Sequence, residues 1–408
     1  MTRGRVLSLV AVVAALLAPT SASAAPSAHF YTPPTLSSQE PGAIIRSEPM
    51  SAVLDPVVRT PYDATATRIM YVSTDLDGAP IPVTGSVITP NRPWDGAGPR
   101  PLVSLAPGTY GQGDRCAPSH ALEGGYFLDA ATLGALLARG ARVVVTDYRG
   151  LGTTGSPTYL NRVQAAHAVL DAARAAQNLF GPGPVGIGGY SQGGFSAAAA
   201  VELQSEYAPE LAVVGAFAGA VPADLTAQFR SGGELLKPIY LDFVSGLIEA
   251  YPPAAQAIRA HFNGKGLDVL LRTQTHCDSD NPTEFDNVTT PELTSDGRPL
   301  MEVFGEEPFA SLISRQRIGL TPPRAPVLLF HAAGDDTIPV EQARELARLW
   351  CSEGATVDYT EIPVPRVLPG TQLMHALPSF AASWLGADYL AARFAGVPAP
   401  STCQEAGR

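Results

Sequence analysis

Hydrophobic and polar positions change period several times along the chain, and those changes outline the fold. Thr67 to Thr74 and Val83 to Thr89 are β-rich runs separated by Asp77-Gly78, which predicts an antiparallel pair. Asp75 and Asp77 form no twelve-residue calcium loop with a closing Glu, so they read as turn residues. A strand–helix alternation follows. Pro101 to Ala106 predicts a strand, Phe127 to Arg139 a helix, and Ala141 to Asp147 a strand. Asn161 to Phe180 is helical, with Val163, Ala166, Val169, Leu170 and Ala173 on one face at i, i+3, i+4 spacing. Pro184 to Gly188 is a short strand, Gly194 to Ala200 opens a helix, and Leu211 to Ala218 is a further strand. Such alternation implies a parallel sheet with helices on both faces.

The rhythm breaks between about Pro222 and Pro323. Leu236, Tyr240, Phe243 and Leu247 mark an amphipathic helix that ends at Tyr251-Pro252-Pro253, and polar loops with short helical patches follow. The alternation resumes with a strand at Ala325 to His331, a helix at Val340 to Trp350 and a strand at Ala355 to Ile362. A final helix near Leu377 to Phe394 precedes a Pro/Ala/Ser tail. The expected fold is therefore α/β, a mostly parallel central sheet flanked by helices. Residues 25–221 and 324–408 form its two parts, and 222–323 an inserted, largely helical cap over an active site. Ala25 to Pro61, rich in Pro and Ser, is expected to wrap the surface of this body.

Gly189-Tyr190-Ser191-Gln192-Gly193 lies between the predicted strand and the small-residue helix. In that context Gly-x-Ser-x-Gly is a nucleophile elbow. The turn holds Ser191 at strained φ/ψ, and side chains two residues to either side would collide. On α/β-hydrolase scaffolds the acid and the histidine follow the serine in chain order. Of seven histidines only His331 and His375 lie after the resumed alternation. His331 ends a strand and precedes every acid candidate, so the base is His375, between the last strand and the final helix. The acid belongs to the loop His331 to Pro339, where Asp335 and Asp336 compete. Asp335 fits the His-x-x-x-Asp-x-x-Ile-Pro spacing, and Asp336 is expected to cap the next helix or to be solvated. The oxyanion hole needs two backbone N–H groups. One is assigned to Gln192. The other comes from Gly108, Thr109 or Tyr110, since Pro107 has no N–H, and Thr109 is preferred.

Composition narrows the compartment and the partners. The 408 residues are 45% hydrophobic and 16% charged, with a formal charge of −11 and no basic block. Nucleic acid is excluded as a partner, because phosphate binding needs clustered Lys and Arg. Residues 1–24 read as a secretion signal: Arg3 and Arg5, the apolar run Val6 to Ala18, then Ala22-Ser23-Ala24. The run is too short to span a bilayer, so no stable membrane anchor is expected. Loss of this leader removes two positive charges and no negative ones, taking −11 to −13. Cys116, Cys277, Cys351 and Cys403 are even in number in an exported chain, which predicts two disulfides. Their spacing matches no zinc pattern and leaves three pairings open.

Several stretches together resemble the secretory lipase family, the lipase-A-like branch of the α/β-hydrolases. They are Ala106 to Thr109 with Cys116-Ala117-Pro118-Ser119, Thr146 to Gly152, Gly189 to Gly194, Tyr207 to Leu211, and His331 to Pro339. The resemblance spans nearly all of the chain after residue 24. It implies an exported triacylglycerol or carboxylic-ester hydrolase with Ser191, Asp335 and His375 as the triad. It further implies a Cys116–Cys277 bridge from the oxyanion loop to the cap, and a Cys351–Cys403 bridge pinning the tail. Some members carry an acidic side chain in the oxyanion loop, where this chain has Tyr110-Gly111-Gln112-Gly113.

The function expected is ester hydrolysis through an acyl-enzyme on Ser191, with no metal or organic cofactor. The substrate is an ester or lipid, and a lipid–water interface is one place of action. The alternatives are an acyltransferase using the same acyl-enzyme and a non-catalytic binding protein on a hydrolase scaffold. The face at Leu236 to Leu247 either receives long acyl chains or packs on the body.

Overall fold

The computed structural model describes residues 29–230, 234–278, 280, 285, 287–367 and 370–404. The expected leader at 1–24 lies outside them. Among the described residues nine strands form one sheet: β1 (Ile44–Met50), β2 (Ala64–Thr74), β3 (Pro80–Pro90), β4 (Leu102–Ala106), β5 (Arg142–Thr146), β6 (Val185–Tyr190), β7 (Val213–Gly219), β8 (Val327–Ala332) and β9 (Val357–Ile362). Their order across the sheet is β1-β2-β3-β5-β4-β6-β7-β8-β9. From β5 to β9 every neighbour is parallel, and β1, β2, β3 and β5 are joined by antiparallel pairings. Side chains of β4 and β8 are buried throughout, as expected of strands covered on both faces.

The helices are α1 (Pro118–Gly124), α2 (Ala130–Ala138), α3 (Arg162–Phe180), α4 (Gln192–Tyr207), α5 (Leu225–Arg230), α6 (Pro238–Ala250), α7 (Ala255–Ala260), α8 (Gly264–Thr273), α9 (Leu300–Val303), α10 (Phe309–Ser314), α11 (Glu341–Ser352), α12 (Leu373–Ala376) and α13 (Pro378–Phe394). One buried cluster joins α3, α4 and α11 to the sheet, and a second joins α1, α2 and α13 to it. Helix α3 starts where its sequence allows: the Asn161 side chain accepts the Gln164 N–H at 3.1 Å and caps the first turn. Asp75 makes the expected turn, accepting the N–H groups of Asp77 and Ala79.

One expectation needs correction. The segment before Pro61 does not only wrap the body, because Ile44–Met50 pairs with β2 as the edge strand. Pro49 obscured it in the sequence, yet proline is tolerated on an edge, where one row of N–H groups has no partner to bond. Of the two alternatives for the face carrying Leu236, Tyr240, Phe243 and Leu247, the packed one matches the structure, where all four are buried.

Between β7 and β8 the described residues add α5 to α10 and no strand of the sheet. This insertion has an aromatic centre of its own: Phe229 lies 5.0 Å from Phe243 and 4.8 Å from Phe304, and Phe304 lies 5.0 Å from Phe309, centroid to centroid. It is also sewn to the loop after β4. The Gln112 N–H donates to the His276 carbonyl at 2.9 Å, the Asp278 N–H donates to the Tyr110 carbonyl at 3.0 Å, and Cys116 is bonded to Cys277. The second disulfide joins Cys351 of α11 to Cys403.

Candidate active site

The turn from β6 into α4 places Ser191 at φ 59°, ψ −120°, a conformation that costs an L-residue energy and persists only where the surroundings enforce it. The enforcement is steric. A Cβ on Gly193 would lie 2.1 Å from the Ala106 carbonyl oxygen, so β4, β6 and α4 meet too closely for any side chain there. The result is an Oγ held at the carboxyl ends of the parallel strands.

His375 lies in α12, one turn of helix ahead of α13, rather than in an irregular loop. Its Nε2 is 2.9 Å from Ser191 Oγ, and its Nδ1 is 2.8 Å from Asp335 Oδ2. Asp335 is buried and its other oxygen accepts the Thr337 and Ile338 N–H groups, each at 2.8 Å. Burial alone would raise the Asp335 carboxyl. Hydrogen bonds from His331 and His375 outweigh it and hold the group well below the usual carboxylate range. His331 supports this loop, with Nε2 at 2.9 Å from the Ile338 carbonyl.

Asp336 departs from expectation. It neither caps the following helix nor faces solvent: it is buried, and its carboxylate accepts the Gln372 N–H at 2.8 Å and the His375 N–H at 3.2 Å. The two adjacent aspartates divide the work, Asp335 on the imidazole and Asp336 on the backbone that carries it. Tyr190 adds a third support, donating its OH to the His375 carbonyl at 2.7 Å.

The residues proposed for the oxyanion hole lie at the same end of the sheet. Gln192 is the first residue of α4, so its N–H has no carbonyl within the helix to bond. On the facing loop, the Gly108 N–H donates to Asp129 Oδ2 at 3.1 Å. The Thr109 hydroxyl is 2.9 Å from Tyr159 Oη, and the Tyr148 OH donates to the Pro107 carbonyl. Among the described residues, neither the Thr109 nor the Tyr110 N–H has a hydrogen-bond acceptor. Burial pushes the Asp129 carboxyl up to about 6. Sequence reasoning passed over Asp129, which stands 21 positions from the glycine it contacts. The Asp147 loop is structural: its buried carboxylate accepts from the Ser119 N–H, the Ser119 hydroxyl and the Thr84 hydroxyl.

Known proteins resemble this chain in sequence and in fold. The family model for secretory lipases matches residues 125–402. The chain belongs to the secretory lipase family. A probable inactive lipase of Mycobacterium tuberculosis is 32% identical over 360 residues, covering 81% of this chain and 75% of the relative. A secreted triacylglycerol lipase, LIP5 of Malassezia globosa, is 25% identical over 359 residues, covering 83% and 74%. Among solved structures, lipase A of Candida antarctica superposes with a TM-score of 0.76 at 22% identity, covering 92% of this chain and 87% of that one. The shared architecture is the α/β-hydrolase fold. Within a family that includes a member named inactive, the contacts among Ser191, His375 and Asp335 matter more than membership alone.

Proposed function

We propose that this secretory lipase family member is an exported carboxylic-ester hydrolase that works through an acyl-enzyme on Ser191. The observation that carries the reading is the unbroken chain Ser191 Oγ, His375 Nε2, His375 Nδ1, Asp335 Oδ2, with links of 2.9 and 2.8 Å. In this reading His375 takes the Ser191 proton as Oγ attacks the ester carbonyl. Asp335 keeps the other ring proton on Nδ1 and stabilises the imidazolium. The negative oxygen is met by the Gln192 N–H and the Thr109 N–H. Gly108 is the weaker candidate because Asp129 already holds its N–H. Each such donor is worth roughly 10²–10³ in kcat. His375 then protonates the leaving alcohol, and a water molecule, activated by the same imidazole, releases the acid. The insertion 222–323 serves as the cap over this site, and the two disulfides suit an oxidising compartment outside the cytosol.

A serine-directed fluorophosphonate on the purified chain tests this, with Ser191→Ala beside it. Stoichiometric labelling of the parent alone, matched by loss of p-nitrophenyl ester turnover in the variant, is the expected result. Equal labelling of both, or no labelling of either, returns the chain to the non-catalytic reading that the name of the Mycobacterium relative raises.

A further inference from the structure

The histidine at the site sits at one end of a row of exposed apolar side chains. Leu373, Leu377, Phe380 and Trp384 follow one another at i, i+4, i+7 and i+11, one face of a continuous helix, since Leu377 between α12 and α13 has helical dihedrals (φ −61°, ψ −42°). Phe380 is 61% exposed and Trp384 55% exposed. Leu373 and Leu377 flank the buried His375 on either side. Leu128 is 64% exposed and adjoins Asp129, whose carboxyl accepts the Gly108 N–H. The two segments are joined: α2 and α13 pack together, with Thr132 Oγ1 2.8 Å from Ser383 Oγ. Single exposed leucines need no explanation, but a row continuous with the mouth of a site does.

Charge decides what the row can meet. From Val367 to Ala387 the sequence contains no Lys, Arg, Asp or Glu. At the far end Arg139 lies 5.0 Å from the Trp384 ring centroid and is already paired with Asp388, Nε to Oδ1 at 2.8 Å. The chain as a whole carries −11. An anionic surface would repel a protein of this net charge, and the run 367–387 itself offers no cation to compensate, Arg366 and Arg139 standing at its two ends. We propose that the face formed by Leu373, Leu377, Phe380, Trp384 and Leu128 seats the protein on an electrically neutral lipid surface, bringing the mouth of the Ser191 site against it. This rests on the ester-hydrolase reading and names where that substrate is met.

The test uses the purified full chain, Phe380→Ser/Trp384→Ser and Ser191→Ala. Each is floated with phosphatidylcholine vesicles, with and without added phosphatidylglycerol, at low and high salt. Binding by the parent should be insensitive to salt and should not increase with phosphatidylglycerol. The double variant should lose at least about tenfold in partitioning, the factor for withdrawing even one large apolar side chain from lipid. It should keep its turnover of a soluble p-nitrophenyl ester and its melting temperature. Quenching of tryptophan emission by brominated phosphatidylcholine should reach the parent and be lost in a Phe380→Ser/Trp384→Phe variant, which serves if the first is poorly folded. Equal binding by parent and double variant overturns the proposal, as does binding only to phosphatidylglycerol vesicles that salt abolishes. It is overturned too if neither protein binds vesicles and the parent is a dimer that the variant breaks, because the face is then an interface between copies. Ser191→Ala should bind as the parent does. If both float with vesicles and neither cleaves any ester, the hydrolase reading falls while the docking face stands. Ester turnover without flotation has the opposite meaning.

Discussion

Changing Asp335 and Asp336 to asparagine, one at a time, separates two roles that adjacent carboxylates hold here. In Asp335→Asn the amide oxygen stays where Oδ1 accepts the Thr337 and Ile338 N–H groups at 2.8 Å, because an NH₂ there would face two donors. The NH₂ therefore points at His375 Nδ1, now 2.8 Å away, and Nδ1 must accept rather than donate. The ring proton moves to Nε2, opposite Ser191 Oγ, and the imidazole can no longer take the serine proton. A wrong tautomer of this kind costs about 10⁴ in kcat. In Asp336→Asn the tautomer survives. A single amide oxygen can satisfy only one of the Gln372 and His375 N–H groups and leaves the other facing NH₂. A buried unpaired donor costs about 1–3 kcal/mol of stability, and the displaced histidine costs on the order of 10²-fold in rate at most. The assay is steady-state hydrolysis of a soluble p-nitrophenyl ester, with active sites counted by phosphonate titration, beside a thermal melt. Two results would refute this reasoning: Asp335→Asn within tenfold of the parent, or Asp336→Asn as inactive as Asp335→Asn with an unchanged melt.

Further expectations follow from the same contacts. Gly193→Ala places a methyl group 2.1 Å from the Ala106 carbonyl and forces β4 and the elbow apart. Its kcat/KM should fall by at least about 10²-fold, measured on the soluble ester. The disulfides close stretches separated by 161 and 52 residues, so chain entropy alone gives upper figures of about 5 and 4 kcal/mol. A reductant should lower the melting temperature, and Cys351→Ser/Cys403→Ser should account for the smaller part of that loss. Burial raises the Asp147 carboxyl to about 6 from 3.8. The folded state thus holds this proton more tightly than the unfolded one, and the associated stability, full below about pH 4, is lost as pH rises through 6. The stability of the parent relative to Asp147→Asn should therefore grow by roughly 1 kcal/mol between pH 8 and pH 5, as denaturant titrations at the two values would report.

What the sequence disclosed depended on how local the determinant was. Ser191 and its glycines are a contiguous steric unit, and His375 and Asp335 fall in the chain order that parallel strands impose. These could be read without a structure, as could the strands of the parallel sheet. Residues that hold the site in place were not legible. Asp336, Tyr190 and Asp129 act on backbone groups of segments that only tertiary packing brings near, and no spacing marks them. The edge strand Ile44–Met50 was hidden by Pro49 and a polar neighbourhood. α1, seven residues long, and the helices α9 and α10 of the insertion are too short to show a period.

The link between the insertion and the loop after β4 has a mechanical meaning. Cys277 is bonded to Cys116, forms a bridge with the Gly111 backbone, and stands between two residues that hydrogen-bond to that loop. That edge is a doorpost. If the insertion swings, its axis lies beside Tyr110 to Gly113, and the distance between Thr109 and the hinge stays nearly constant through the swing. Opening is then widest at the side remote from the disulfide. A substrate too bulky to enter there cannot be accommodated by lifting the hinged edge, because lifting it would carry the loop that bears Thr109 away from Ser191.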